Sequence, residues 1–301
     1  MQPSWVQTCD PATVTWLNSL MERCEFVVDL PVRCAVSGGA DSSALLVLAT
    51  LAGCEVTAVH LDHGLRPDSE AEIEVVASLA QRFGAAFESH RMVIEPGPNL
   101  ESRARQARHE VLGPSALFGH TADDRVETLL MFLLRGMATA GWATLRDARH
   151  PIIELTRSET EEVCARLAIH PISDPMNRDP SFTRTRIRHE LIPLMNSIAQ
   201  REVRDRILSS ADAIAELDDL ARIMATALDV TDALQLAQAP PAVARRALAE
   251  WFHTTSDTHY RPSGAALDRM LSVARGDAVA CDITGGWRLE RSHQRLRLVQ
   301  S

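Results

Sequence analysis

Hydrophobic positions change period several times along the chain, and the changes mark out its elements. Val14, Leu17, Leu20 and Met21 fall at helical spacing and predict a leading helix over 12–28. Val32–Val36 is a short apolar run followed by Ser-Gly-Gly. Ser42–Ala52 is then apolar nearly all round, so the reading is buried strand, tight loop and buried helix. Val56–Leu61 predicts a second strand, and Ile73, Val76, Ala77, Ala80 and Phe83 line one face of a helix over 69–83. Ala86–Val93 predicts a third strand, ended by Pro96-Gly97-Pro98, and Ser115–Gly119 a short fourth one before an apolar helix over 129–134. Residues 137–149 read as a loop. Ser158–Leu167 reads as a helix, with Ser158 and Glu161 spaced as a capping box. Strands alternating with helices predict an α/β class: an open, mostly parallel sheet with helices on both faces. From about 200 the pattern turns to amphipathic helices, Arg201–Leu228 and Pro241–Trp251. Two strands follow, Ala278–Asp282 and Trp287–Leu298, joined by a Gly285-Gly286 turn. The expected division is a domain over 1–200 carrying the chemistry and a smaller, mainly helical domain over 201–301 ending in a β-hairpin.

Composition sharpens this. An apolar content of 46% in 301 residues supports a sizeable core. A formal charge of −9 argues against a surface that coats nucleic acid but leaves room for a local basic tract. The chain has no lysine, so all 31 basic residues are arginine and lysine leaves the list of catalytic groups. Six cysteines form no C-x-x-C pair, which fits buried thiols in a reducing compartment. With no basic start, no apolar leader and no eighteen-residue apolar run, a cytoplasmic protein without signal peptide or membrane span is expected. Oligomeric state is left open, a homodimer included.

The candidate chemistry sits just after the predicted strands. In Ser37-Gly38-Gly39-Ala40-Asp41-Ser42-Ser43 adjacent glycines let backbone N–H groups converge on an anion, and the helix end adds partial positive charge. The loop suits phosphate. It is not a Walker A loop, which needs lysine, nor a Gly-x-Gly-x-x-Gly fingerprint. Asp41 beside such a nest suits a divalent cation, Mg²⁺, between carboxylate and phosphate. His60, Asp62 and His63 follow the second strand, where open α/β sheets bind ligands. His120, Asp123, Asp124 and Glu127 follow the fourth; Asp124 and Glu127 also match a capping box, so a cap and a chemical role both stand. Glu101, Arg105 and Arg108 share a helical face, and from spacing alone an ion-paired surface is the favoured reading. Arg184, Arg186 and Arg188 suit either phosphates or ion pairs with Glu190 and Asp179. Arg288, Arg291, Arg295 and Arg297 form a second basic tract on the terminal hairpin.

Taken together, S-G-G-x-D-S at 37–42, H-x-D-H-G-L-R at 60–66, E-x-x-A-R-x-x-R at 101–108 and H-T-A-D-D-x-x-E-T at 120–128 resemble tRNA(Ile)-lysidine synthetases. These are members of the ATP pyrophosphatase, or PP-loop, superfamily. D-P-x-N…R-x-R-I-R-H-E at 174–190 is similar too. The resemblance is strong over 37–193, is weaker in the terminal G-G-W-R-L hairpin, and is to a short form. Arg125, Thr185 and His109 depart from the family's usual Gln, Asn and Tyr, and Thr185 bears on tRNA contact. The resemblance implies a PP-loop ATPase fold and an ATP- and Mg²⁺-dependent ligase. It would join free L-lysine to C2 of the wobble cytidine of tRNA(Ile) with a CAU anticodon, through an adenylated tRNA, releasing AMP and pyrophosphate. It implies nucleotide contacts from 37–43, His60, Asp62 and His63, and a metal at Asp41. Catalytic roles would fall to Asp41, Asp124, Glu127 and Arg105, with Asp124 and Glu127 holding the lysine amine. Substrate contacts would come from Arg108, His120, Asp123, Arg184, Arg186 and Arg188. A tRNA thiolase or a small-molecule amide synthetase of the same superfamily is the alternative, and a non-catalytic binding protein is the reading from another class.

Overall fold

A parallel sheet forms where the sequence alternates apolar strands with helices. The structure is a computed structural model that describes residues 3–28, 30–62, 69–91, 110–136, 148–172, 179–256 and 262–300. Strands β1 (Pro31–Ala35), β2 (Glu55–Asp62) and β3 (Ala86–Arg91) pair in that order, with Cys34 opposite Ala58 and Val59 opposite Glu88. The expected fourth strand contributes a single parallel bridge, Cys34 to Leu117, on the other edge of β1. There Ala35 N–H donates to Leu117 O at 2.9 Å and Leu117 N–H to Arg33 O at 2.8 Å. Strand order thus reverses beside β1, and the crevice past the strand ends at such a reversal is the ligand position of open α/β sheets.

Helix α1 (Pro11–Met21) is capped by the Asp10 side chain and ends seven residues before the expected boundary. α2 (Ala40–Leu51) is buried throughout Ser42–Thr50, as an all-apolar helix must be. α3 (Ser69–Arg82) packs on β2 and β3 through a face that includes Val76, Leu79 and Ala80. α4 (Ala122–Arg135) follows the bridge at Leu117, and α5 (Arg157–Arg166) packs against α2. The capping box of α5 is Thr156 with Glu159, not Ser158 with Glu161: the helix begins two residues earlier than its charge pattern suggests. α6 (Thr183–Arg186), a π-helical turn (Ile187–Leu191) and α7 (Ile192–Ala199) run on without a break. The core gathers Leu17 and Leu20 of α1, Val32 and Cys34 of β1, the α2 side chains, Ile152, Leu155 and Val163.

The chain divides into two units, Met1–Thr128 with Thr144–Leu208, and Leu129–Ala143 with Ser209–Ser301. Helix α8 (Arg204–Ala225) leads into α9 (Ala233–Gln238), α10 (Pro241–Ser256) and α11 (Gly264–Arg275), and then β4 (Ala280–Asp282), β5 (Trp287–Ser292) and β6 (Arg295–Gln300). The last three form an antiparallel meander closed on the helices by Phe252, Met270, Leu289 and Leu296. The expected single strand over 287–298 is in fact two. Ser292 pairs with Arg295 across His293-Gln294, and His293 takes φ +56° without a glycine to signal the turn. The hairpin arginines are largely engaged. Arg291 donates to Val273 O and Ala274 O at the end of α11, Arg288 pairs with Asp282 and Arg295 with Asp229. Among the described residues no helix is long and apolar enough to cross a membrane.

Candidate active site

The loop after β1 holds its shape with its own side chains. Gly38 has φ +84°, so the turn requires glycine, and a Cβ there would also have to displace the end of the Ile172 side chain, whose Cδ1 would lie 2.4 Å away. Ile172 N–H donates to Gly38 O at 2.9 Å. The Ser42 hydroxyl accepts from Ser37 N–H and donates to Gly39 O, and the Ser43 hydroxyl donates to Gly38 O. These hydroxyls brace the loop. What remains for an anion is the backbone at the start of α2, whose N-cap, Gly39, has no side chain to occupy those N–H groups. His60 is buried at the end of β2, its Nδ1 2.9 Å from Val36 O, where it braces the loop's entry. Asp62 is buried two residues on.

The segment after Leu117 meets this loop closely. A Cβ on Gly119 would lie 2.7 Å from Asp41 O and 2.8 Å from Asp41 C, a backbone clash no rotamer relieves. Three residues later α4 starts, and Asp124 Oδ2 accepts from Thr121 N–H at 3.0 Å and from the Thr121 hydroxyl at 3.1 Å. Asp124 thus caps from the third helical position, and the expected Asp124–Glu127 box does not form. Glu127 lies one turn further, its side chain 1% exposed.

Three arginines converge on these acids. Arg157 points Nε at Asp41 Oδ2 (3.4 Å), Nη1 at Glu127 Oε1 (3.3 Å) and Nη2 at Asp124 Oδ1 (3.1 Å). Arg184 donates to Glu127 Oε2 at 2.7 Å and Asp124 Oδ1 at 3.3 Å. Arg188 donates to both Glu127 oxygens, at 2.6 and 2.9 Å. Thr160 donates to Asp41 Oδ1. Asp123 Oδ2 accepts the Arg157 N–H at 2.8 Å, and its Oδ1 faces Arg204 at 3.5 Å. Three carboxylates and three guanidiniums give a locally neutral cluster.

Burial and charge work against each other here. Burial raises the Asp41 carboxyl above its ordinary range, and the Thr160 hydroxyl and Arg157 only partly offset it. Burial pushes Asp124 up as well, but Arg157 and then Arg184 bring it below the ordinary value. Glu127 behaves likewise, with Arg188 its strongest opposing partner. Asp41 is the one carboxylate that the loop itself carries. Mg²⁺ takes one or two carboxylates with phosphate oxygens and water rather than an all-protein cage, and no such cage of His, Cys, Asp or Glu exists among the described residues. A carboxylate raised by burial gains from a cation, so this position fits the ion.

The structure therefore brings together Ser37–Ser43, His60, Asp123, Asp124, Glu127, Arg184 and Arg188, while Asp62 lies two residues past His60 at the end of β2. Arg186 points elsewhere, pairing with exposed Glu190 at 2.9 Å. His120 packs against Phe118 and His150, its ring tilted to both and 4.8 Å from that of His150. His63, Arg105 and Arg108 lie outside the described residues. Sequence reasoning missed Arg157 and Thr160. Their only local signal is the helix start at Thr156, one turn of which reaches Asp41.

Residues 17–195 match the PP-loop domain family. The chain is 33% identical to the tRNA(Ile)-lysidine synthase of Nocardia farcinica over 295 residues, 89% of this chain and 91% of that one. It is 36% identical to the enzyme of that name from Rhodococcus erythropolis, covering 88% of each. Among solved structures, the U34-tRNA thiolase of Methanococcus maripaludis shares the fold, with a TM-score of 0.54, 13% identity, and 69% of this chain and 81% of that one covered.

Proposed function

The chain belongs to the tRNA(Ile)-lysidine synthase family, built on a PP-loop domain, and from this premise we propose the reaction that its cluster of acids and arginines supports. It ligates free lysine to C2 of the wobble cytidine of tRNA(Ile) with a CAU anticodon, in the cytoplasm. ATP first adenylates the C2 oxygen with loss of pyrophosphate; the lysine ε-amine then attacks C2 and AMP leaves.

The observation that carries this reading is the meeting of Asp41, from the phosphate loop, with Asp124 and Glu127, through one arginine. The free N–H groups at the start of α2 would hold the ATP phosphates, and Asp41 would hold Mg²⁺, which supplies charge neutralisation as pyrophosphate departs. Freeing a lysine amine of its proton at pH 7 costs about 4.6 kcal/mol. Asp124 and Glu127, ionised well below neutrality, suit the binding of an ammonium. Both Glu127 oxygens are taken, so the ammonium enters by displacing a guanidinium. Arg184, 40% exposed, is the one with water to turn into. The displaced arginines would then serve the substrate's phosphates.

The thiolase alternative needs a reactive cysteine pair. All six cysteines are free, Cys34 and Cys54 are buried, and burial pushes the Cys164 thiol up to about 11. The test is transfer of labelled lysine to a tRNA(Ile) transcript bearing CAU, with Mg-ATP, beside a transcript with a changed wobble base. Incorporation confined to the first supports the ligase. AMP release with tRNA but no lysine transfer leaves adenylation and removes the lysine assignment. No tRNA dependence at all points to a small-molecule amide synthetase.

A further inference from the structure

Resting on the ligase reading, we infer that Arg157 is a positioning residue that fixes the phosphate-loop carboxylate and the amine-binding pair in one geometry. Its three guanidinium nitrogens face three different carboxylates: Nε faces Asp41, Nη1 Glu127 and Nη2 Asp124. Among the described residues it is the one cation that reaches all three. Arg184 and Arg188 reach Asp124 and Glu127 alone.

Its backbone is equally fixed. Arg157 is the first residue of α5, directly after the N-cap Thr156 and inside the Thr156–Glu159 capping box. Glu159 is further clamped by Arg23, and the Arg157 N–H is held by Asp123. One turn on, Thr160 binds the remaining oxygen of Asp41, so the first turn of α5 holds both oxygens of that side chain. α5 is itself packed on α2, where Cys164 Sγ meets Ala40 O at 3.7 Å. The contact that orients Asp41 therefore starts from a rigid helix end.

The arrangement depends on the planar fork. A lysine at 157 would keep one positive charge among the acids, and so the chain's folding, but a single ammonium cannot face three carboxylates in fixed directions. Arg157→Lys separates charge from position. Lysine transfer is measured on the full chain with the CAU transcript, varying lysine and ATP, alongside the melting temperature. The expected result is a kcat lowered about 100-fold and a lysine KM raised about tenfold, with a melting temperature close to that of the unaltered chain. Free guanidinium ion added to Arg157→Ala should restore part of the kcat. Unchanged kcat and KM in Arg157→Lys would show that charge alone suffices and overturn the proposal. So would a loss of activity that only follows the loss of folded protein. An unaltered chain that transfers no lysine removes the ligase reading and the proposal with it, whereas active unaltered chain beside an equally active Arg157→Lys removes the proposal alone.

Discussion

Half-buried Asp41 and buried Glu127 both face Arg157, yet their environments move them in opposite directions. The consequences for stability are opposite too. The Asp41 pKa is raised on folding, so its contribution is fully present below the ordinary carboxylate range and lost as pH rises through the raised value. At pH 7 the ionised Asp41 costs stability. Asp41→Asn, which keeps the oxygen that Thr160 binds, should raise the melting temperature at pH 7 while abolishing activity. The gain should vanish below the ordinary carboxylate range, where Asp41 is protonated in both states. Glu127 is depressed on folding, so its contribution is present above the ordinary range and lost as pH falls through the depressed value. Glu127→Gln should cost about 2 kcal/mol at pH 7, below the usual loss for a fully buried pair, because Arg184 can turn to water. Urea titrations of both variants at pH 7 and at about pH 3, below the ordinary carboxylate range, check the two signs; equal shifts at both pH values would refute them. The acids themselves were legible, since they follow strand ends in a chain that reads as α/β. Arg157 was not. It stands thirty positions past Glu127, and nothing local distinguishes an arginine at a helix start that meets a buried acid from one that meets solvent.

At the scale of elements, α5 is a scaffold as much as a helix. Removing its cap with Thr156→Ala should cost about 1 kcal/mol of stability. It should lower lysine transfer more than a cap alone explains, because the first turn carries Arg157 and Thr160. Activity and denaturant midpoint measured on one preparation separate the two; a loss of activity matching the loss of stability would leave α5 a support only. The tight turn of β5 into β6 offers the converse case. His293 holds φ +56°, a region costly to any residue with a Cβ, so His293→Gly should stabilise the chain by about 0.5–1 kcal/mol, read from the same titration. The turn was hidden because the usual Asn-Gly or Gly-Gly signal is missing, whereas Gly285-Gly286 was plain. The parallel strands were legible from their apolar runs, and their order was not, since pairing of Leu117 with β1 is a contact across some eighty residues. Arg184 and Arg188 show the same limit. Their spacing looks like a basic face, and only the fold reveals that the face turns inward to Glu127.

For the whole molecule, the problem is how a chain of charge −9 would hold a polyanion. Its net field repels tRNA, so binding must come from a few local cations, and affinity should fall with salt in proportion to the phosphates they neutralise. Most of the arginines with described partners are engaged by acids or carbonyls. Arg186 is among the more exposed of them: it is 62% exposed, and its pairing with Glu190 is a solvent-screened surface i,i+4 pair, so a phosphate can claim it cheaply. Arg186→Ala should therefore weaken tRNA binding and reduce the slope of log K against log salt by about 0.7–0.9, the contribution of one phosphate. Glu190→Gln should do the reverse for affinity, because it releases Arg186 and removes a negative charge. Arg222→Ala changes the net charge by the same amount through another surface pair, with Asp219, and supplies the control. Binding followed by fluorescence anisotropy over a salt series distinguishes the cases. A slope altered in Arg186→Ala and not in Arg222→Ala means a local phosphate contact. Equal effects in both would mean that net charge alone governs binding and that Arg186 does no more than pair with Glu190.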